Sequence, residues 1–220
     1  MVLTDRLAAP GASLLLDLDG TLIDSEPASR AAYRAFFGRR GWAVDDDVLR
    51  LFAGRRATDV FASVPGPWTG HDHHHLARES LSLIDHDAHP PVPVPGARDL
   101  LRHYSGRLPI AIVTSASLRW VERALAIIGA EMVDTVVSAE TSVEGKPSPA
   151  PYRLACERLG VDPRAALACE DTPSGIRAAR AAGVGAVLGV TTSLPASVLA
   201  DAGATHVSAS LEVLLVGRSA

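Results

Sequence analysis

The sequence predicts an α/β protein, a doubly wound sheet of parallel strands that carries a helical insertion. Three observations lead there. Five short runs are apolar almost throughout, amphipathic stretches alternate with most of them, and residues 26–92 contain no such run. Strands apolar on both faces suit a parallel sheet covered on both sides; a half-exposed antiparallel strand would alternate instead.

In chain order, strands are expected at "SLLLDL" (13–18), "PIAIVT" (109–114), "DTVVSA" (134–139), "ALACE" (166–170) and "GAVLGV" (185–190). Helices are expected at "SLRWVERALAIIGA" (117–130), "SPAPYRLACERLG" (148–160) and "TPSGIRAARAAG" (172–183). Gly129, Gly160 and Gly183 stand where a left-handed C-terminal cap is needed. Strand and helix repeated in this way build a doubly wound sheet. Between the first strand and the rest come helical patterns, "EPASRAAYRAFFGRRG", "DDDVLRLFAG" and "HHHLARESLSLI". The segment closes on "HPPVPVPGA", which resists helix and reads as a stiff linker. The expected organisation is therefore a core of residues 1–25 and 93–220, with residues 26–92 as an inserted α-helical cap.

Composition narrows the function. The 220 residues, 47% hydrophobic, suffice for one sizeable core or a core plus a small second unit. A net charge of -4 with scattered Lys and Arg argues against a nucleic-acid or membrane-surface partner. Cys156 and Cys169 form neither a disulfide framework nor a C-x-x-C pair, which points to a reducing compartment. "MVLTDRLAAPGA" lacks the apolar core of a signal peptide, and no run approaches the about 18 apolar residues of a membrane span. A cytoplasmic monomer is the expectation.

The chemistry sits at strand ends, where open α/β sheets collect ligands. Asp17 and Asp19 end the first strand, two residues apart and so projecting to one side, with Gly20 allowing a sharp turn and Thr21 placed to cap the next segment. Two carboxylates held close must share a proton, bind a cation, or both. Glu170 and Asp171 end another apolar run. Asp17, Asp19 and Asp171 together would form a hard oxygen site suited to Mg²⁺. For "ED" alone the plain reading is a helix N-cap, as it is for "VTSAS", Thr114 to Ser117. Lys146, between Gly145 and Pro147, would be a solvated charge if it stood alone; near acids it offsets their repulsion and contacts phosphate. The hydroxyls and N–H groups of Thr114 to Ser117 could hold phosphate oxygens.

In order and spacing, "DLDGT", "VTSAS", Lys146 and "EDTPSG" resemble the four motifs of the haloacid-dehalogenase-like hydrolases, over nearly the whole chain. The inserted helical cap resembles the branch that contains glycerol phosphatases, deoxysugar phosphatases and β-phosphoglucomutase. The resemblance implies a Rossmann-like core and an Mg²⁺-dependent phosphatase. Asp17 would form an aspartyl-phosphate, and Asp19 would act as acid and then base. The Asp17 carboxylate, the Asp19 carbonyl and Asp171 would hold the metal, with Glu170 as ligand or in support. Ser115, the Ala116 N–H and Lys146 would hold the transferring oxygens; Thr114 is the alternative to Ser115. An acid two residues after the nucleophile is missing from dehalogenases, so Asp19 points to phosphate chemistry.

The implied substrate is a small phosphorylated metabolite, a sugar or polyol phosphate first and phosphoglycolate second. A β-phosphoglucomutase-like isomerase comes third, since those enzymes carry a cap histidine where this sequence has Ser29. A non-catalytic module that binds a phosphorylated metabolite is the alternative from another class. In "FAGRRATDV", Gly54 allows a close approach and Arg56, with Arg55 as rival, is expected to face the leaving group. His71 and His75, in "GHDHHH", have ligand-like spacing but no companion ligands, so a solvated helix start is expected. Trp42, Trp68 and Trp120 are expected to be packing residues.

Overall fold

Three successive leucines, Leu14 to Leu16, are fully buried because the strand that carries them lies in the middle of a sheet covered on both faces. The computed structural model describes residues 2–129 and 133–215. Met1, 130–132 and 216–220, all within the expected core and including the last residue of the helix expected over 117–130, lie outside the described residues.

The chain starts with α1 (Leu3–Leu7), β1 (Ser13–Leu16) and β2 (Ile23–Asp24). Four helices come next: α2 (Glu26–Arg39), α3 (Asp46–Arg50), α4 (Ala57–Ser63) and α5 (His73–Leu81). Then come β3 (Val92–Pro93), α6 (Ala97–Tyr104), β4 (Ile110–Val113), α7 (Leu118–Ile128) and β5 (Thr135–Val137). The remainder is α8 (Ala150–Leu159), β6 (Ala166–Glu170), α9 (Pro173–Ala181), β7 (Ala186–Val190), α10 (Ala196–Asp201) and β8 (His206–Ser208).

The main sheet has the order β5-β4-β1-β6-β7-β8, and its neighbours pair in parallel. Side chains along each strand alternate between faces. Leu14, Leu16, Ile110, Ile112, Leu167 and Cys169 therefore join one core, and Leu15, Ala111, Val113, Ala166 and Ala168 join the other. From β1 the chain builds outward on one side through β4 and β5, then returns to the other side for β6 to β8, which opens a crevice beside β1. The five expected strands all form. Gly129 and Gly160 close α7 and α8 in the left-handed conformation, and Gly183, also left-handed, lies just past the cap of α9.

Helices α2 to α5 surround a third core of their own, with Phe36, Phe37, Phe52, Phe61 and Trp68 at its centre. Trp68 stacks on Phe37 and Trp42 meets Phe36 edge-on, as packing residues should. The proline-rich stretch corrects the linker reading. Val92 and Pro93 pair antiparallel with Asp24 and Ile23, and Val94 donates to the Leu22 carbonyl at 3.0 Å. The chain thus leaves the core and returns to it through one small ribbon.

Candidate active site

Strand ends supply the site. Asp17 follows β1, Thr114 follows β4, Asp171 follows β6 and Ser193 lies in the turn after β7, while Lys146 comes from the loop between β5 and α8. Carboxylate oxygens of Asp17, Glu170 and Asp171 lie within 4.8 Å of one another, and all three residues are buried. The buried Lys146 ammonium donates to both Asp17 Oδ1 and Glu170 Oε1. Glu170 also accepts from Tyr152 Oη at 2.8 Å and from Thr172 Oγ1 at 3.1 Å, so both its oxygens are engaged. Gly20 turns the chain after Asp19 at φ +81°, and a Cβ there would overlap Asp171 Oδ2 and Ser193 Oγ. That close approach lets Asp171 lie beside the β1 turn. Ser193 Oγ donates to Asp171 Oδ2 at 2.6 Å.

Crowding sets the protonation. Burial, with Glu170 nearby and Lys146 in opposition, pushes Asp17 up to about 7. Burial and the negative charges of Asp17 and Glu170 hold the Asp171 carboxyl well above the usual range. For Lys146, burial works against the ammonium, yet the pull of Asp17 and Glu170 prevails and its pKa is raised. One ammonium offsets only one of three carboxylates. In addition, Asp171 Oδ1 is buried with no hydrogen-bond partner among the described residues. Hard oxygen donors, excess negative charge and an orphaned carboxylate oxygen together fit a divalent cation.

Asp19 is held apart from this cluster. Its Oδ1 accepts from Ser25 Oγ at 2.5 Å and from Trp120 Nε1 at 2.7 Å. Burial raises its pKa, opposed by those two hydrogen bonds. Trp120 packs against the core as expected but goes beyond that expectation, because its indole N–H also touches an acid at the heart of the site. Thr21 corrects another: its Oγ1 is buried without a partner among the described residues and caps nothing. Thr114 and Ser115 both line the cavity; Thr114 Oγ1 accepts the Ala116 N–H at 3.0 Å and Ser115 Oγ donates to the Gly54 carbonyl at 3.0 Å.

Gly54 makes the approach its sequence position suggests. It adopts φ +66°, and a Cβ would overlap the Thr172 side chain. Arg56 lines the cavity, but its guanidinium donates to the carbonyls of Ser142 (2.8 Å), Val143 (3.2 Å) and Glu144 (3.4 Å). Those bonds tie the helical insertion to the loop before Lys146, while Arg56 Nε has no hydrogen-bond partner among the described residues. Arg55 lines the same cavity and donates to Ser63 Oγ at 3.1 Å. His71 precedes α5 and packs on Trp42, so it shares no helix face with His75, which lies beside Glu79. Asp72 caps this helix start by accepting from His74 and His75 N–H.

Sequence reasoning missed Ser25, Tyr152, Ser193 and the pair Trp120–His86. Position alone signals Ser193, three residues past a buried strand; the others come from separate segments. Above the acids lies a cavity of about 740 Å³ whose walls include Ser29, Arg30, Tyr33, Phe52 and His86 from the insertion side.

A sequence model described as haloacid dehalogenase-like hydrolase matches residues 13–183. The chain belongs to the haloacid dehalogenase-like hydrolases. A validoxylamine A 7'-phosphate phosphatase from Streptomyces hygroscopicus subsp. limoneus is 40% identical over 191 residues, 86% of this chain and 89% of that protein. The fructose-1-phosphate phosphatase YqaB of Escherichia coli is 33% identical, over 80% of this chain and 95% of its own. Among solved structures, a CbbY variant from Rhodobacter sphaeroides in complex with xylulose-(1,5)bisphosphate superposes with a TM-score of 0.74 at 26% identity, covering 94% of this chain and 96% of that one. No described helix is long and apolar enough to cross a membrane.

Proposed function

We propose that this haloacid dehalogenase-like hydrolase is an Mg²⁺-dependent phosphatase acting on a small sugar or polyol phosphate. One observation carries the reading: Asp17 and Asp171 line a cavity of about 740 Å³, and the buried Lys146 ties Asp17 to Glu170 beside them. Asp17 bonds to phosphorus while the bond from phosphorus to the substrate alcohol breaks. The departing oxygen keeps the bonding pair and takes the proton of Asp19. Water then attacks the phosphorus of the aspartyl-phosphate and gives a proton to Asp19, and Asp17 and inorganic phosphate are released. The Asp17 and Asp171 carboxylates and the Asp19 carbonyl would hold Mg²⁺, which would supply the charge that lets an anionic nucleophile meet an anionic phosphoryl group. Glu170, already engaged by three donors, supports Lys146 instead of binding the ion. Lys146, Ser115 Oγ and the Ala116 N–H hold the phosphoryl oxygens once substrate displaces their present partners.

Residues 1–25 and 93–220 form the catalytic core in this reading, and residues 26–92 the cap that selects the alcohol and excludes water. The cavity has ample room for a polyhydroxylated leaving group. The relatives named for fructose 1-phosphate and validoxylamine A 7'-phosphate support the same class. The net charge of -4 with scattered Lys and Arg supports the absence of a nucleic-acid partner, and the two unpaired cysteines support a reducing, cytoplasmic setting.

The test is release of inorganic phosphate from p-nitrophenyl phosphate and from a panel of hexose, hexitol and glycolate phosphates. Turnover is expected to require Mg²⁺ and to fall by about 10⁴-fold in Asp17→Asn. Turnover without a divalent ion, or an active Asp17→Asn, would refute the reading. Conversion of glucose 1-phosphate to glucose 6-phosphate without phosphate release would replace it with a mutase.

A further inference from the structure

Trp120 stands in the first turn of α7, and that turn is fastened twice. Its own backbone N–H donates to Ser117 Oγ at 3.3 Å, and the Leu118 N–H reaches the Glu140 carboxylate at 3.1 Å. The His86 ring lies flat on the indole, 4.2 Å between centroids and 11° between planes. His86 rides on a tight turn between α5 and β3 that Asp85 holds by accepting the Asp87 and Ala88 N–H groups, each at 2.9 Å. Helix and imidazole thus fix both the place and the plane of the indole, with its N–H edge 2.7 Å from Asp19 Oδ1.

An indole N–H can only donate, so this hydrogen bond has one sense and Asp19 Oδ1 must be the acceptor. Ser25 Oγ donates to the same oxygen. Two donors on one carboxyl oxygen favour it as the proton-free member of the pair. No described group engages Oδ2. We propose that Trp120 is a positioning residue for the general acid: it reserves Oδ1 as acceptor and so places the transferable proton of Asp19 on Oδ2, ready for the leaving oxygen. The inference rests on the phosphatase reading above. In the step concerned, the Oδ2–H proton passes to the departing alkoxide as its bond to phosphorus breaks and the bond from Asp17 forms. His86 contributes by holding the indole plane.

A poor leaving group needs the acid more than a good one, so the test compares aryl phosphates. The kcat/KM ratio of phenyl phosphate to p-nitrophenyl phosphate reports the protonation of the leaving oxygen and is independent of the fraction of folded enzyme. Trp120→Phe keeps the ring stack and deletes the N–H; it is expected to lower this ratio by about tenfold. Trp42→Phe, in the separate aromatic core, should keep the wild-type ratio. A wild-type ratio in Trp120→Phe overturns the proposal and leaves the phosphatase reading intact. Failure of the wild-type enzyme to hydrolyse either ester removes both. Should Trp120→Phe yield no folded protein, His86→Ala carries the same expected direction and the same refutation.

Discussion

The strand-end rim and the helical insertion face the same cavity, but different forces hold them. At the rim, charged groups are buried and tied to one another: Lys146 to Asp17 and Glu170, Glu170 to Tyr152 and Thr172, Asp171 to Ser193. In the insertion the buried groups are aromatic rings, and the charges stay near solvent in pairs such as Arg34–Asp46 and Arg40–Glu79. A buried ion network tolerates little change, because losing one partner strands another in a low-dielectric setting. An aromatic core tolerates substitution so long as volume and patterning are kept. The acid rim is therefore held rigidly, whereas the core of the insertion tolerates substitution.

The largest expected effect after loss of the Asp17 carboxylate comes from the rim. Lys146→Met leaves Asp17 and Glu170 buried without a counter-charge, and should cost about 3–5 kcal/mol in urea unfolding. A variant as stable as wild type would show that the network is not under the tension described. Gly54→Ala attacks the seam between the two regions. A Cβ at φ +66° costs about 1–2 kcal/mol and overlaps Thr172 besides, so both thermal stability and kcat/KM should fall. No change in either would mean that the seam can open without loss.

The smallest effect is a pH-dependent stabilisation by metal. Asp17 is pushed up to about 7 and Asp171 is held well above the usual range, each chiefly by burial. A carboxyl with a raised folded-state pKa contributes stability that is full below its unfolded pKa and is lost as pH rises through the folded value. Metal-free protein should accordingly weaken as pH rises from about 4 through about 7. A cation that replaces those protons should raise the melting temperature more at about pH 8 than at about pH 5, by about 2–4 °C for each additional kcal/mol. An Mg²⁺ shift that is flat with pH, or larger in acid, would break the link between the acid cluster and the ion.

The sequence revealed most of the sheet because burial on both faces leaves an unbroken apolar run, as in Leu14 to Leu16 and "AVLGV". It also revealed Asp17, Asp19, Lys146, Glu170 and Asp171, since each stands at or near a strand end. The ribbon of Ile23–Asp24 with Val92–Pro93 escaped because two residues carry no periodicity, and prolines there read as a break. Tyr152 and Trp120 escaped for another reason. Each looks like an ordinary apolar position of an amphipathic helix, and only the folded chain brings Tyr152 to Glu170 and Trp120 to Asp19. Arg56 was placed in the right cavity, yet its partners are backbone carbonyls, which no side-chain pattern announces.

The ribbon also bears on how such a protein can be rebuilt. Exit and re-entry strands lie hydrogen-bonded side by side, so the intervening helices hang from a single doubled stem. A foreign helical module whose own ends are adjacent could be grafted onto that stem at one splice point, and β1 would still deliver Asp17 to the same place.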